Sequence, residues 1–378
     1  MIRPSALPSL LRLGMTTEST AGKPTRAWVD VDLGALVRNG KTLAQLARVP
    51  LLPMVKADGY GLGVRAVVRA LAVLDPVGFG VATLAEGVDL RSSGVDRAVL
   101  VFTPLLAEDF RAAHEARLTP ALSDGASIAA WAACGGGAWH FAIDTGMHRS
   151  GVRWDRVGDL VPLLTQHPPA GAFTHFHSAE VDDASMALQE VRFRESLAVL
   201  EAAHVRPPVL HADNSAAIVR RSPSPWSLVR PGVFLYGVSC GGAAALEPAS
   251  VVSLRAPVVD VRDVHKGESV GYGATWTARR KSRVATLAVG YADGYRRSLG
   301  NRGAVLVRGS RVPVVGMVTM DMTMIDVTDV PCSIGDVATL MGRDGSVAIT
   351  VDEVALACAL SPYEVLTGLA SRVERRYT

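Results

Sequence analysis

Cysteines, aromatic residues and excess charge of one sign are scarce in this chain of 378 residues. Its 4 cysteines are far apart and show no paired spacing, so we expect reduced thiols rather than disulfides or a zinc site. The formal net charge of +3 is too small to indicate a nucleic-acid partner. No apolar run approaches the length of a membrane-spanning helix, so we also expect no membrane partner. The sequence therefore predicts a cytoplasmic protein.

Apolar residues are plentiful, at 49% of the chain against 20% charged residues, a balance that is ordinary for a soluble enzyme. A chain of 378 residues is long enough for two domains. The first residues carry an apolar patch interrupted by Arg12 and no small-residue cleavage site, which disfavours a secretory signal. We therefore predict that residues 1–25 are a disordered extension, with Met15 as an alternative start.

Short apolar runs alternate with helical segments over residues 26–245. VLVFTP, WHFAIDTG and PVLHADN predict buried strands, and MALQEVRFRESLAVLEAAH predicts an amphipathic helix. The alternation predicts βα units, and their number favours a closed (α/β)8 TIM-like barrel over an open doubly wound sheet. An alternative place for the first strand is the sheet of the second domain. Chemistry in such barrels lies at the C-terminal ends of strands, where Lys56, Arg149, His175, His211 and Arg230 fall.

The pattern changes after a linker of small residues at 241–245. PVVDVRDV, SRVATLAVGY and GAVLVRGSRVPVVG are short, rich in valine and separated by turn residues, without long helices between them. Residues 246–378 are therefore predicted to form a mainly-β, antiparallel domain. One late helix is predicted to be interrupted at Pro362.

The segment LLPMVKADGYGLG carries Lys56 to the end of an apolar strand. Desolvation disfavours the charged form of an amine and lowers its pKa, and a neutral amine can form a Schiff base with a carbonyl group. A strand-end lysine whose head extends to solvent is the simpler alternative. Only the neighbouring motifs favour the chemical interpretation.

Two of these motifs suit a phosphorylated cofactor. In HADNSAA, Ser215 opens a predicted helix, so its hydroxyl and the unpaired amides behind it could hold a phosphate group. Gly232 and Val233 follow the next strand and could donate amides to the same anion. The alternative is that Ser215 is only a helix N-cap. In IDTGMHRSG, a tight strand exit projects Arg149 from the loop.

A third motif, GYGATW in the β domain, places Tyr272 between two glycines. Such a tyrosine is poorly anchored as core and is able to reach a neighbouring surface. An exposed turn tyrosine without a chemical role is the alternative.

Together these motifs make the chain resemble the alanine racemases, pyridoxal-phosphate enzymes of fold type III, from about Arg26 to its end. The matching segments, in the order of the family, are VKADGYGLG, IDTGMHRSG, THFHSAE, NSAA, VRPGVFLYG, GYGATW, VGYADGY, VGMVTMDMTMID and SPYEVLTGLASRV. The resemblance implies pyridoxal-phosphate-dependent interconversion of L-alanine and D-alanine by two bases. In a bacterial cell that reaction supplies D-alanine for peptidoglycan.

The resemblance also implies roles for individual residues. Lys56 would hold the cofactor aldehyde and serve as one base, and Tyr272 of the partner subunit would serve as the other. Tyr60 would contact the phosphate, His211 would lie against the ring and Arg230 would face the ring nitrogen. The remaining implied cofactor contacts are Arg149, His175, Asn214, Ser215, Gly232, Val233 and Tyr363, and the implied substrate contacts are Arg149, Tyr291, Met320 and Asp321. Catalysis would then require a homodimer with shared sites.

The chain departs from the pattern of the family at four positions. Leu62 stands where the family usually has histidine, and Ala142 stands where many members have a lysine that positions Arg149. His177 is an additional histidine, but nothing supplies the other ligands of a His-x-His metal site, so we expect no metal. Asp213 before Asn214 has no explanation from the sequence.

Three other functions compete with this interpretation. A racemase of serine or of a broader set of amino acids is the first, since one sequence does not define the pocket. A decarboxylase on the same fold resembles families with a Cys-Asp pair in the second domain, which Cys332 in VPCSIGD does not match. A non-catalytic cofactor-binding protein resembles the barrel alone, and the β domain argues against it.

Overall fold

A computed structural model of the chain describes residues 25–181, 183–241 and 246–378. The extension predicted over residues 1–25 lies almost wholly outside the described residues, and so does most of the predicted linker after Gly241. Both therefore stay predictions. Within the described ranges, no helix is long and apolar enough to cross a membrane.

The first described unit is a closed barrel of parallel segments. Its sheet contains, in spatial order, the strands Gly78–Val81, Ala98–Val101, Thr119–Leu122, His140–Asp144, Gly171–Phe173 and Val209–His211. A short strand, Val152–Arg153, pairs beside His140–Asp144.

Isolated parallel bridges close the ring. Leu51 pairs with Val229, Met54 pairs with Gly80, and Asn214 pairs with Arg230. Residues 51–54 and 229–230 therefore supply the seventh and eighth sides, which confirms the predicted barrel.

Helical segments follow the sides of the barrel and cover it. They are Leu33–Ala47, Val64–Leu71, Leu84–Ser92, Phe110–Glu115, Gly125–Ala133, Val161–Gln166, Ser185–Ala202 and Ser215–Arg220, with 3₁₀ turns at Ala72–Leu74, Ala107–Asp109, Trp154–Leu160 and Val233–Tyr236. Their starts are encoded locally, since the side chains of Asp32 and Asp124 accept from amides three residues later. Every residue of the strands Gly78–Val81 and His140–Asp144 is buried, because helices cover one side and the barrel interior covers the other.

The second unit is built on a sheet of nine strands. Its main path runs Ser310–Pro313, Ala304–Val307, Val337–Asp344, Val252–Val264, Trp28–Val31 and Glu374–Tyr377, and the strands Ser282–Leu287, Thr323–Asp326 and Val347–Ile349 pair off this path. A separate hairpin pairs Ser269–Val270 with Trp276–Thr277. All pairs are antiparallel except that of the two terminal strands, Trp28–Val31 and Glu374–Tyr377. This confirms a mainly-β second unit after the barrel.

The two ends of the described chain therefore meet in the second sheet. Trp28–Val31 lies between Val252–Val264 and Glu374–Tyr377, which is the alternative place that the sequence left open for the first strand. The late helical segment consists of Val351–Cys358 and Pro362–Thr367. Pro362 is the first residue of the second helix, where its missing N–H costs no hydrogen bond.

Candidate active site

A cleft of about 930 Å³ opens at the carboxyl ends of the barrel segments. Parallel strands bring their C-terminal loops to one edge, so residues distant in sequence meet there. The predicted site residues that line the cleft are Lys56, Tyr60, Arg149, His175, Asn214, Ser215, Arg230, Gly232, Val233 and Tyr363. The structure thus brings together most of the predicted cofactor contacts within one chain.

Lys56 begins a left-handed helical turn, a backbone form that L-amino acids rarely adopt. Ala57, Asp58 and Tyr60 have φ values of 52°, 54° and 55°, and Gly59 has a φ of 62°. Each non-glycine residue in this conformation costs roughly 1–2 kcal/mol. The glycines of the motif suggested a tight turn, but nothing in the sequence signals that three other residues share the left-handed conformation.

Carboxylates accept hydrogen bonds from amides at both ends of this turn. Glu86 accepts from the Ala57 amide at 2.8 Å, and Asp58 accepts from the Val64 amide at 2.8 Å. Glu86 also lines the cleft and was missed from the sequence. Its signal was the helix-start pattern Thr83-x-x-Glu86, a capping box whose carboxylate here serves the turn as well.

The Lys56 amine lies in surroundings that favour its neutral form. Burial lowers its pKa, the Arg149 guanidinium lowers it further, and the Glu86 carboxylate acts in the opposite direction. This is the direction that the apolar run before Lys56 predicts. A neutral amine can bond covalently to a carbonyl group or accept a proton.

A chain of buried side chains runs from the barrel interior to the cleft. His140 Nδ1 lies 2.7 Å from His211 Nε2, and Arg230 Nη1 lies 2.6 Å from His211 Nδ1. Arg230 Nη2 lies 3.3 Å from His175 Nδ1. His175 lines the cleft, whereas His211 is fully buried and stacks on Phe173. The predicted contact of His211 with the cofactor ring is therefore corrected, because Phe173 covers His211 and its imidazole supports Arg230 instead.

The donors and acceptors along this chain can be assigned. Arginine has donors only, so His211 Nδ1 accepts from Arg230, and His211 Nε2 then donates to His140 Nδ1. Burial and the nearby Arg230 charge lower the pKa of His140 to about 4 and that of His175 to about 3, and they lower the pKa of His211 in the same direction. Burial lowers the pKa of Arg230 to about 9. One positive charge, on Arg230, thus lies among three neutral imidazoles at neutral pH.

Ser215, Gly232 and Tyr60 meet in one corner of the cleft. Ser215 Oγ accepts from the Gly232 amide at 2.8 Å. A Cβ on Gly232 would lie 2.7 Å from the Tyr60 hydroxyl oxygen, so only glycine leaves room for that hydroxyl. The N-cap of the following helix is Asn214, whose side chain accepts from the Ala217 amide at 3.0 Å. The alternative that Ser215 caps this helix is therefore wrong.

Arg149 reaches the cleft from an exposed loop. Its guanidinium makes no hydrogen bond or ion pair with any residue that the structure describes. Ala142, where the resembled family often has lysine, belongs to an apolar cluster with Ala121, Phe173 and Phe102. The donors of Arg149 are therefore not used by these described residues, as expected of a group that binds an acidic ligand.

Asp213 has a structural explanation. Its carboxylate is fully buried and accepts from the Arg221 guanidinium and, at 2.7 Å, from the Ser224 hydroxyl. Arg221 pairs with Glu190 as well. A buried carboxylate needs such partners, so this network fixes the strand end that leads to Asn214.

The two other departures have no direct contact with the cleft. His177 is exposed, and its Nδ1 lies 2.7 Å from the Ser178 hydroxyl. Among the described residues there is no cluster of side chains that could hold a metal ion. Leu62 is fully buried in the main apolar core, where a histidine would need a polar partner.

The predicted second base and three predicted substrate contacts lie on the surface of the second unit and do not line the described cleft of their own chain. These residues are Tyr272, Tyr291, Met320 and Asp321. Tyr272 is 75% exposed and Met320 is 53% exposed. Arg372 fixes the Asp321 loop, since it donates to Asp321 at 2.8 Å and to the buried Asp293 at 2.7 Å. Arg372 thus holds the Asp321 loop in place on the surface of the second unit.

Comparison with known protein families divides the chain into the same two units. Residues 31–240 match the family described as "Alanine racemase, N-terminal domain", and residues 251–377 match "Alanine racemase, C-terminal domain". Alanine racemases of Sorangium cellulosum and Symbiobacterium thermophilum are each 37% identical to this chain, over 94% of it and over 99% and 97% of their own lengths.

Solved structures agree as well. Alanine racemase from E. faecalis is similar with a TM-score of 0.88 and 29% identity, covering 93% of this chain and 98% of that one. The enzyme from Bartonella henselae, with covalently bound pyridoxal phosphate, has a TM-score of 0.86 and 28% identity, covering 94% and 100% of the two chains. The chain therefore belongs to the alanine racemase family.

Proposed function

We propose that this protein is a pyridoxal-phosphate-dependent alanine racemase that interconverts L-alanine and D-alanine. The observation that carries the proposal is the position of Lys56. Its amine has a lowered pKa and lies in a cleft with Arg149, Arg230 and the corner of Tyr60, Ser215 and Gly232. The family of the chain supports the same activity.

The cleft fits pyridoxal phosphate in size and in chemistry. A volume of about 930 Å³ is ample for a small cofactor and an amino acid. The space that Gly232 leaves beside the Tyr60 hydroxyl, together with Ser215, would hold the phosphate. Lys56 would hold the aldehyde carbon, and Arg149, whose donors no described residue uses, would bind an oxygen anion.

When bound, the cofactor supplies an electron sink that acidifies the α-proton of the amino acid. Arg230 faces its ring nitrogen in the family that the chain resembles, and a group that only donates would leave this nitrogen unprotonated. That arrangement weakens the sink and favours return of the proton over transamination. His211 and His140 keep Arg230 in position from behind.

Racemisation requires that a proton leave one face of the α-carbon and return to the other. Lys56 Nζ, with its lowered pKa, can accept and return the proton on one face. The hydroxyl of Tyr272 of the partner subunit would do so on the other face. The exposure of Tyr272, Met320 and Tyr291 supports this arrangement, because an apolar surface with fixed loops suits a second copy of the chain.

The activity is tested with L-alanine in deuterated water, following chirality and α-deuteration together. We expect both to change at linked rates. A higher kcat/KM for serine would replace the substrate with the second candidate, and no exchange at all would leave only cofactor binding. D-Alanine formed in the cytoplasm would supply peptidoglycan, a role that rests on the family.

The shared site is tested by mixing two inactive variants. Tyr272→Phe removes one base and should lower the rate about 10²- to 10⁴-fold. In dimers that exchange subunits with Lys56→Ala, one site of each mixed dimer keeps both bases, so about a quarter of all sites should recover. A mixture of Lys56→Ala and Lys56→Met is the matched control, with no recovery expected. Recovery absent from both mixtures would contradict sharing.

A further inference from the structure

The turn that carries Lys56 is strained. Three of its residues, Ala57, Asp58 and Tyr60, have a left-handed backbone conformation. Lys56 at the start of the turn and Tyr60 near its end both line the cleft. Strained backbone persists only where surrounding contacts over-determine it. The contacts that do so come in part from the far end of the chain.

Arg375, in the strand Glu374–Tyr377, reaches the end of this turn. Its Nε and Nη2 both donate to the Gly61 carbonyl oxygen, at 3.1 and 2.9 Å. The remaining donors bind carbonyl oxygens next to its own strand, those of Leu369, Ala370 and Val373, at 2.6–2.8 Å. The guanidinium therefore ties the Gly61 carbonyl to the backbone of residues 369–373.

Tyr377, two residues after Arg375, makes a second contact with the next carbonyl of the turn. Its hydroxyl donates to the Leu62 carbonyl oxygen at 3.1 Å. A Cβ on Gly63 would lie 2.0 Å from that hydroxyl, so the two backbones could not approach if Gly63 had a side chain. Gly61 also packs tightly against the helix Pro362–Thr367, since a Cβ added to Gly61 would lie 2.5 Å from the Leu366 carbonyl oxygen.

The geometry points to Arg375 and Tyr377, here called the C-terminal clamp, as positioning residues for Lys56 and Tyr60. By fixing the carbonyls of Gly61 and Leu62, the C-terminal clamp holds the left-handed turn in the form that directs both side chains into the cleft. Neither Arg375 nor Tyr377 lines the cleft. Its effect on catalysis rests on the proposed function, but its effect on the turn does not.

Arginine suits this task because its planar fork can donate to several carbonyls in fixed directions. Lysine has a single ammonium on a flexible stem and cannot reach Gly61, Leu369 and Val373 together. Arg375→Lys keeps the charge and removes the fork, so it separates geometry from electrostatics. Arg376→Lys is a matched control one residue away, since Arg376 pairs with Glu374 and lies over the Trp28 ring without contacting the turn.

Two readouts distinguish positioning from general stability. Amide hydrogen exchange should become faster over residues 57–63 in Arg375→Lys, because the amides of Gly59, Gly61 and Gly63 bond within the turn. The dissociation constant for pyridoxal phosphate should rise about tenfold, with kcat lowered and KM for alanine little changed. Arg376→Lys should change neither. Equal behaviour of the two variants would overturn the inference.

A smaller variant and a rescue complete the test. Tyr377→Phe removes only the bond to Leu62 and should act in the same direction as Arg375→Lys but less, which keeps the inference testable if Arg375→Lys does not fold. In Arg375→Ala, millimolar guanidinium should restore cofactor affinity and equal urea should not. Failure of both Tyr377→Phe and the rescue would contradict the clamp. If wild-type protein binds no pyridoxal phosphate, the proposed function fails, while the exchange comparison still judges the clamp.

Discussion

The barrel cleft and the exposed face of the second unit carry the two predicted bases in opposite states. Lys56 lies in a half-buried site where burial and the Arg149 charge lower its pKa, at the start of a turn that is fixed by Glu86 and Arg375. Tyr272 is 75% exposed, in a short turn with no charged neighbour on it. The surroundings of Lys56 are therefore fixed within the chain, whereas those of Tyr272 are not.

This difference separates two requirements that the sequence motifs present as one. Binding and holding a cofactor needs burial, fixed dipoles and room for an anion, and the barrel supplies all three. Placing a second base on the opposite face needs a group that arrives from another direction, and the exposed Tyr272 of the second unit is the group that we propose for it. Loss of a buried charge pair in the barrel should therefore lower stability, and loss of the exposed Tyr272 should lower the rate of the reaction alone.

The largest expected effect comes from Lys56. Lys56→Ala removes both the group that would hold the cofactor and one base, so kcat should fall by at least about 10⁴-fold. The control is Lys281→Ala, which removes an exposed ion pair with Asp263 on the second unit and should leave kcat unchanged. Initial rates of racemisation measure both. A Lys56→Ala protein with more than about a hundredth of wild-type activity would contradict the role of this residue.

The next effect compares two carboxylates of the two units. Asp213→Asn removes the buried carboxylate from its pair with the half-buried Arg221, which then keeps only Glu190, and should lower the free energy of unfolding by about 3 kcal/mol, the lower end for a broken buried pair. Asp329→Asn breaks an exposed pair with Arg280 and should cost about 0–1 kcal/mol. Urea unfolding measures both changes. Equal decreases in the free energy of unfolding of the two variants would contradict a stabilising role of the buried ionic network in the barrel.

The smallest effect is on pH dependence. Burial lowers the pKa of His140 from 6.5 to about 4, so between these values the unfolded chain binds more protons than the folded one. Stability therefore falls as pH falls through this window. Between about pH 7.5 and about pH 5, His140 should account for about 2 kcal/mol of the decrease in the free energy of unfolding.

His140→Gln tests this contribution, because glutamine can still accept from His211 but does not take up a proton. Its loss of stability between the two pH values should be smaller than that of wild type by the stated amount. The control is His265→Gln on the exposed surface of the second unit, which should follow wild type. A His140→Gln protein with the full wild-type pH dependence would show that His140 is charged or solvated in the folded state.

Several features of the fold and site were predictable because they are encoded locally. The alternation of apolar runs with helical segments predicts the barrel, and the short valine-rich runs predict the mainly-β second unit. The places of Lys56, Arg149, His175 and Arg230 at the cleft follow from the strand ends, whereas Tyr363 was expected there only from the family resemblance. Position along the strand was not enough for His211, because the Phe173 ring covers it.

The sequence by itself determined which residue types stand at the ends of the barrel segments, since strand and helix periodicity is a local property of neighbouring side chains. The tertiary structure decided which of them act together. Arg375 meets Gly61 across 314 positions of the chain, and the buried Asp213 carboxylate is paired with the Arg221 guanidinium. The tertiary structure also decided that Ala57, Asp58 and Tyr60 adopt the left-handed conformation. This conformation is unfavourable for each of them, and contacts from distant segments offset its cost.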